Sequence, residues 1–302
     1  MKHLQTLLLI EAVAKAGSIR KAAEDMNITS SALNRRIQGF EEEFGAPIFE
    51  RLPRGVRLNP AGELLIQHIR SQMSDLERVR AQVADLSGVR RGHVSIACSQ
   101  AIQPYFMPRE IAEYRREHSG VSFSVHVRDR DAAEEDLRSY QSDLALVFEP
   151  RHHAEFDVIL SIEQPVCAVM SRDHPLAGRE KLRLRDCLAY PHVVPPPAIG
   201  IRYLLDLAVG RMSQKLAPSI EADSFEFMRH YVLNDQAVGF QFPIGLNIDG
   251  DDRFAIFPLG ERDVPYGKLS LLQMKGRILP VAPARFANQL ALSLVDLRLP
   301  AV

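Results

Sequence analysis

Paired cysteines, long apolar runs and a surplus of either charge are all missing from this 302-residue chain. Cys98, Cys167 and Cys187 sit in or beside apolar runs without paired spacing, so the sequence carries no disulfide framework. Buried structural thiols in a reducing cytoplasm are the expectation, with redox sensing by one of them as the alternative. Neither a signal peptide nor an apolar stretch of membrane-spanning length is present, which points to a cytoplasmic protein with no membrane partner. The formal net charge of -1 gives no global pull towards nucleic acid, so any DNA affinity has to come from local placement of basic groups. Phosphate loop, nucleophile elbow and zinc-binding helix motifs are absent too, which argues against an enzyme and against a cofactor. His152-His153 lies in an expected loop with no partner at metal-ligand spacing. Asp249-Gly250-Asp251-Asp252 reads as a turn that lacks the further ligands and terminal Glu of a calcium loop; no metal site is expected.

What is present is ordinary globular usage, 46% hydrophobic and 25% charged, over a length that exceeds one typical domain. The most informative stretch runs from Gly17 to Gly62. Ser18 is placed to cap a short helix over 19–26, in which Ala22 and Ala23 let another helix approach closely. Asn27-Ile28-Thr29 breaks the run, and a second helix starts near Ser30. There Leu33, Ile37, Phe40 and Phe44 recur at helical spacing on one face. The other face carries Asn34, Arg35, Arg36 and Gln38, amide and guanidinium groups that can meet base edges in the major groove. Thr29, Ser30 and Ser31 at the start of this helix, with Ser18, Arg20 and Lys21 on the preceding one, can reach phosphates. An amphipathic surface helix of no special function has the same pattern. The following segment, 49–60, favours DNA: Arg51, Arg54 and Arg57 flank a Pro/Gly turn in a short hairpin, a wing that offers guanidinium groups to the backbone or a minor groove.

Residues 1–62 resemble the winged helix-turn-helix of LysR-type transcriptional regulators. The matching residues are Gly17-Ser18, Ala22-Ala23, Ala32-Leu33, Arg35, Ile37, Glu41, Phe44-Gly45, Ile48-Phe49, Arg51 and Ala61-Gly62. The chain departs from the family's usual pattern at Ser30, often Gln, at Asn34, often Ser, and at Asn59, usually Thr. The first two lie on the reading face and bear on base preference, since Asn can pair bidentately with adenine.

A run free of Pro and Gly follows over 63–87 and ends at Gly88. Read as heptads, Ile69, Leu76 and Val83 fall at one seam position and Leu65, Gln72, Val79 and Leu86 at the other, which favours a dimerisation helix over one packed on its own domain. The resemblance implies pairing through this linker and further assembly, so a homodimer or homotetramer is expected to set two modules on a dyad-symmetric site.

From Arg90-Arg91-Gly92 onward, short β-type runs alternate with helices, and largely parallel strands are expected. Strands are read at 94–98, 121–127, 143–148, 158–162, 166–170, 192–194, 219–222 and 268–274, with helices over 104–118, 201–212 and 283–297. The pattern resembles the effector domain of the same family, a two-lobed fold of the type 2 periplasmic-binding-protein kind. The overall expectation is an α/β multidomain protein: an all-α winged helix-turn-helix (1–62), a linker helix (63–91) and an effector-binding domain (92–302). Lobe 1 is placed at 92–163 and 268–302, lobe 2 at 164–267, with a hinge near 163 and 267.

In such folds a small ligand sits between lobes, at strand ends and helix N-termini that favour carboxylate or phosphate. Ser99 and Gln100 follow the first strand, and Pro197, Ile199, Gly200 and Arg202 hold the corresponding place in the second lobe. Arg202 or Arg128 is the expected counter-charge. Phe148 and Phe240, near strand ends, either line the pocket or pack in the core. The expected partners are double-stranded promoter DNA, a second copy of the chain, a small-molecule effector for which a carboxylate is one candidate, and, as the resemblance implies, RNA polymerase. A solute-binding protein with a helical appendage and an enzyme on the two-lobed fold are the competing classes.

Overall fold

Apolar spacing at the start of the chain winds α1 (Lys2–Ala16), which buries Leu7, Leu9, Ile10 and Val13. Gly17 ends it with a positive φ of 61°. The computed structural model describes residues 2–86, 92–212, 216–246 and 251–297. In helix α2 (Ile19–Asp25) the side chain of Ser18 accepts the Lys21 amide, and Ala22 and Ala23 are buried as the sequence predicts. Asn27, at φ 53°, turns the chain into α3 (Ser30–Phe44), whose cap is Thr29. Leu33, Ile37 and Phe40 join α1 and α2 in one core. Phe44, expected on the same face, is half exposed and stacks on Phe40 at 5.7 Å.

The wing is a two-stranded antiparallel ribbon, β1 (Phe49–Leu52) and β2 (Gly55–Leu58). It leads into α4 (Pro60–Leu86). Here Asn59 explains itself: its Oδ1 accepts the Gly62 amide at 2.8 Å while its Nδ2 donates to the Pro47 carbonyl at 2.8 Å. It caps α4 and ties the wing's approach to it, as short polar side chains do at helix starts. A Cβ on Gly62 would fall 2.1 Å from the Ile48 carbonyl oxygen, so α4 can start here only with glycine. Leu65, Ile66 and Ile69 are buried in the same core, and Arg70 pairs with Glu11 of α1 at 3.4 Å. The heptad seam is therefore interrupted: Leu65 and Ile69 are used inside, while Val79 and Val83 are exposed. The side chain of Leu86, Gly88 and the Arg90-Arg91 pair lie outside the described residues.

The chain divides into two compact units, through Arg80 and from Ala81. In the second, β3 (Gly92–Cys98), α5 (Phe106–Glu117), β4 (Val121–Val127), α6 (Arg130–Arg138), β5 (Leu144–Phe148) and β6 (Phe156–Gln164) build one sheet and its helices. The chain then forms β7 (Cys167–Ser171), α7 (Leu184–Cys187), β8 (His192–Val194), α8 (Gly200–Arg211), β9 (Ile220–Glu221), α9 (Phe225–Asn234), β10 (Val238–Gln241) and β11 (Phe254–Pro258). It returns through β12 (Gly267–Met274) and α10 (Val281–Val295). The strand orders are β4-β3-β5-β12-β6 and β11-β7-β10-β8-β9.

Against the expectation of largely parallel strands, both sheets are mixed. β3, β4 and β5 run parallel, but β12 arrives from the far part of the chain and lies antiparallel between β5 and β6. In the second sheet β8 is parallel to β9 and β10, and β7 is antiparallel to β10 and β11. Alternating strand and helix runs do not reveal the direction in which a strand from the far part of the chain is inserted. The two passages between the sheets lie on one rung, Gly267 opposite Gln164. A Cβ at Gly267 would stand 2.4 Å from the Phe242 ring, which keeps that crossing tight. Residues 249–250 of the acidic turn lie outside the described residues.

Candidate nucleic-acid face and ligand cleft

On α3 the apolar side is consumed by the core, and Ser30, Ser31, Arg35, Arg36 and Gln38 are left exposed, with Asn34 half-buried. Thr29 Oγ1 accepts the Ala32 amide at 3.3 Å. The wing is fastened to this helix from both ends. Glu41 Oε1 accepts the Ile48 and Phe49 amides at 2.7 and 3.3 Å, and Arg51 donates to Asn34 Oδ1 at 3.5 Å. The Gly17 carbonyl accepts the Val56 amide at 2.9 Å. Gly55, at φ 123°, would place a Cβ 2.3 Å from that same carbonyl oxygen. Glycine is thus required both by the conformation and by the contact.

The cations differ in what already holds them. Arg57 faces Glu50 across the ribbon and donates to it at 2.7 Å, a bond that raises its pKa further. Arg20 lies 3.7 Å from Glu24. Among the described residues, Lys21, Arg35, Arg36 and Arg54 have no carboxylate within ion-pair distance. These exposed groups can meet a polyanion without breaking an existing pair, whereas Arg57 has to exchange one.

In the second unit the ends of β3, β4 and β5 and the start of α8 surround an open cleft of about 680 Å³, solvent included. It is lined by Ser99, Gln100, Val127, Arg128, Asp129, Arg130, Val147, Phe148, Pro196, Ala198, Ile199, Gly200 and Asp223. Gln100 Oε1 accepts the Phe225 amide at 2.7 Å and so joins the two sheets' sides. Gly200 rests against Phe148, where a Cβ would come within 3.1 Å of the Phe148 Cβ, and Phe148 stacks on Phe242 at 3.7 Å.

The sequence-derived cleft residues divide accordingly. Ser99, Gln100, Arg128, Phe148, Ile199 and Gly200 come together, while Pro197 is exposed beside its lining neighbours Pro196 and Ala198. Arg202 is outside the cleft: it donates to Asp206 at 3.1 Å, Glu221 at 2.9 Å and the Pro195 carbonyl at 3.0 Å, fixing α8 to its own sheet. Phe240, on β10, is buried in the core cluster that also holds Val169, Met228 and Val232. Arg128 lines the cleft but is held by Asp136 at 2.8 Å. Sequence reasoning misses Arg130. Its Nε is buried with no partner among the described residues, and the sequence signal was available, since Asp129 is an N-cap that sets Arg130 at the first position of a helix pointing its amino end to the cleft.

The three thiols are buried, and burial pushes each up to about 12. A thiol so protonated is a poor nucleophile and a poor peroxide target. Among the described residues no group of His, Cys, Asp or Glu is arranged to hold a metal, and no helix is long and apolar enough to cross a membrane.

Two family models match this chain: "LysR substrate binding domain" over residues 87–293, and "Bacterial regulatory helix-turn-helix protein, lysR family" over residues 4–63. The HTH-type transcriptional activator CmpR of Synechocystis is 24% identical over 239 residues, 79% of this chain and 78% of that protein. Among solved structures, a full-length OxyR variant from Pseudomonas aeruginosa superposes with a TM-score of 0.71 at 19% identity, covering 96% of this chain and 94% of that one. Full-length CbnR complexed with its target DNA gives 0.57 at 16% identity, covering 96% and 99%.

Proposed function

This chain belongs to the LysR family of bacterial transcriptional regulators, and from that premise we propose that it binds promoter DNA as an oligomer under the control of a small molecule held in the cleft. The observation that carries the DNA half is the polar flank of α3, exposed beside a wing whose Arg54 has no carboxylate partner among the described residues. In this reading α3 lies in the major groove, where Arg35, Arg36, Gln38 and Asn34 meet base edges, and Ser18, Lys21, Thr29, Ser30, Ser31, Arg51 and Arg54 anchor phosphates. Arg20 and Arg57 contribute once released from Glu24 and Glu50. CbnR, a structural neighbour, is known bound to its target DNA.

Control comes from differential affinity. A ligand that fits one closure of the cleft better than another shifts the arrangement of the paired DNA-binding modules by the difference of its two affinities and no more. The proposal places the protein in the cytoplasm, with a second copy of itself as partner and contact with RNA polymerase where it activates. Capture and sequencing of genomic fragments by the purified full chain tests it: discrete promoter sites are expected, and recovery at background level across all promoters overturns it.

A further inference from the structure

Arg130 is 8% exposed and forms part of the cleft wall. Asp223 lines the same cleft but forms no ion pair with Arg130, and the carboxylates on and beside α6 are committed elsewhere. Asp129 caps α6 through the Ala132 amide at 2.8 Å, and Asp131 pairs with Arg151 at 3.2 Å. Glu134 is taken by His152 and Arg138, Asp136 holds Arg128, and Glu149 turns back to accept the Lys268 amide at 2.7 Å. Among the described residues Arg130 has one long bond, from Nη1 to the Glu149 carbonyl at 3.4 Å, and the Tyr203 ring of α8 across its face at 5.1 Å. Its Nε is buried without a partner among the described residues.

A buried guanidinium lacking a counter-charge is unfavourable in the absence of an anion, and the same low-dielectric surroundings strengthen its attraction to one. Tyr203 covers the flat face, which leaves the Nε and Nη2 edge, the side of the fork that grips an oxyanion through two parallel bonds. Across the cleft stands the start of α8, a twelve-residue helix whose N-cap, Ile199, has no side chain to satisfy the first-turn amides.

We propose that the molecule recognised in the cleft carries an oxyanion, carboxylate or phosphate, anchored on Arg130 and shared with the amino end of α8. The inference rests on the reading of this cleft as the effector site. It assigns the anchoring to Arg130, with Arg128 and Arg202 already neutralised by their own carboxylates. Because Tyr203 rides on α8, an anion seated on Arg130 touches both walls, so the anchored group itself couples the two sides.

Thermal unfolding of the full chain in phosphate, acetate, succinate and benzoate, each against chloride at matched ionic strength, tests the assignment. At least one oxyanion is expected to raise the Tm of the wild type in a saturable manner, and the arm that does so separates phosphate from carboxylate. Arg130→Gln is expected to abolish that rise and to melt no lower than the wild type when no oxyanion is present, because an uncompensated charge is gone; an Arg with only a structural role would melt lower. Should Arg130→Gln fail to fold, Arg130→Lys retains the charge but not the fork, and a Kd at least tenfold weaker supports the assignment. An oxyanion rise of equal size in Arg130→Gln, an unchanged Kd in Arg130→Lys, or no rise with any oxyanion overturns it. Uncharged metabolites that stabilise wild type and Arg130→Gln alike would overturn this inference while leaving the cleft as the effector site.

Discussion

Asp143 and Arg277, 134 residues apart in the chain, meet in a buried pair at 2.6 Å with side chains 13% and 7% exposed. Asp143 also accepts the Ser95 amide at 2.8 Å, and Arg277 donates to the Ser142 carbonyl at 3.0 Å, so the pair fastens the start of β5 to both β3 and the turn after β12. Removing one member leaves the other charge buried. Asp143→Ala is expected to lower unfolding stability by about 3–5 kcal/mol. Replacing both by apolar residues should cost much less than that single change. Urea unfolding of the three proteins, followed by circular dichroism, checks the order.

In the wing, Gly55→Ala is expected to do damage out of proportion to one methyl group. The new Cβ meets the Gly17 carbonyl at 2.3 Å, and the residue must also hold φ 123°. Strain of this kind is worth about 1–3 kcal/mol. The ribbon should lift from the turn between α1 and α2, with DNA affinity lost more than stability. Gel-shift titration beside a thermal melt separates the two effects.

Arg35 and Arg54 are predicted to fail differently. Arg35→Ala should weaken binding to the specific site by about 1–3 kcal/mol and leave non-specific binding nearly unchanged. Arg54→Ala should weaken all sequences alike and lower the salt slope by about one. Arg57→Ala should change the slope less, since its release from Glu50 offsets part of the gain. Binding isotherms on specific and scrambled duplexes at several salt concentrations report both quantities.

The cysteines give a pH signature. Each thiol has its pKa raised from 9.0 to about 12 by burial, so the folded state favours the protonated form. Their contribution is fully present below pH 9 and is lost as pH rises through 12. Stability should therefore fall steeply in that alkaline window, and more shallowly when all three are replaced by alanine or valine. At about pH 8, below the ordinary thiol range, the native protein should resist iodoacetamide and peroxide, with labelling appearing only on addition of denaturant. Mass spectrometry of native and denatured samples decides it.

Much of the amino-terminal unit is legible in the chain because its signals are local. Ser18 caps within three residues, Leu33, Ile37 and Phe40 share a face by helical spacing, and Gly45 stops α3. The seam on α4 is not, because Leu65 and Ile69 satisfy the same periodicity whether they meet a partner helix or their own core. In the second unit most strands and helices follow from alternation, yet α9 and the edge strand β11 escape it, and the direction of β12 depends on where a distant segment inserts.

The sequence alone determined the winged module and the α/β class, since capping, periodicity and alternation are local signals, and it carried the resemblance to the family in residues spread over 1–62. Which of the three candidate arginines is left without a counter-charge was decided only by tertiary structure. Arg128, Arg130 and Arg202 are chemically identical in the chain, and what separates them is whether folding brings a carboxylate to each: Asp136 to the first, Asp206 and Glu221 to the last, and none to Arg130 among the described residues.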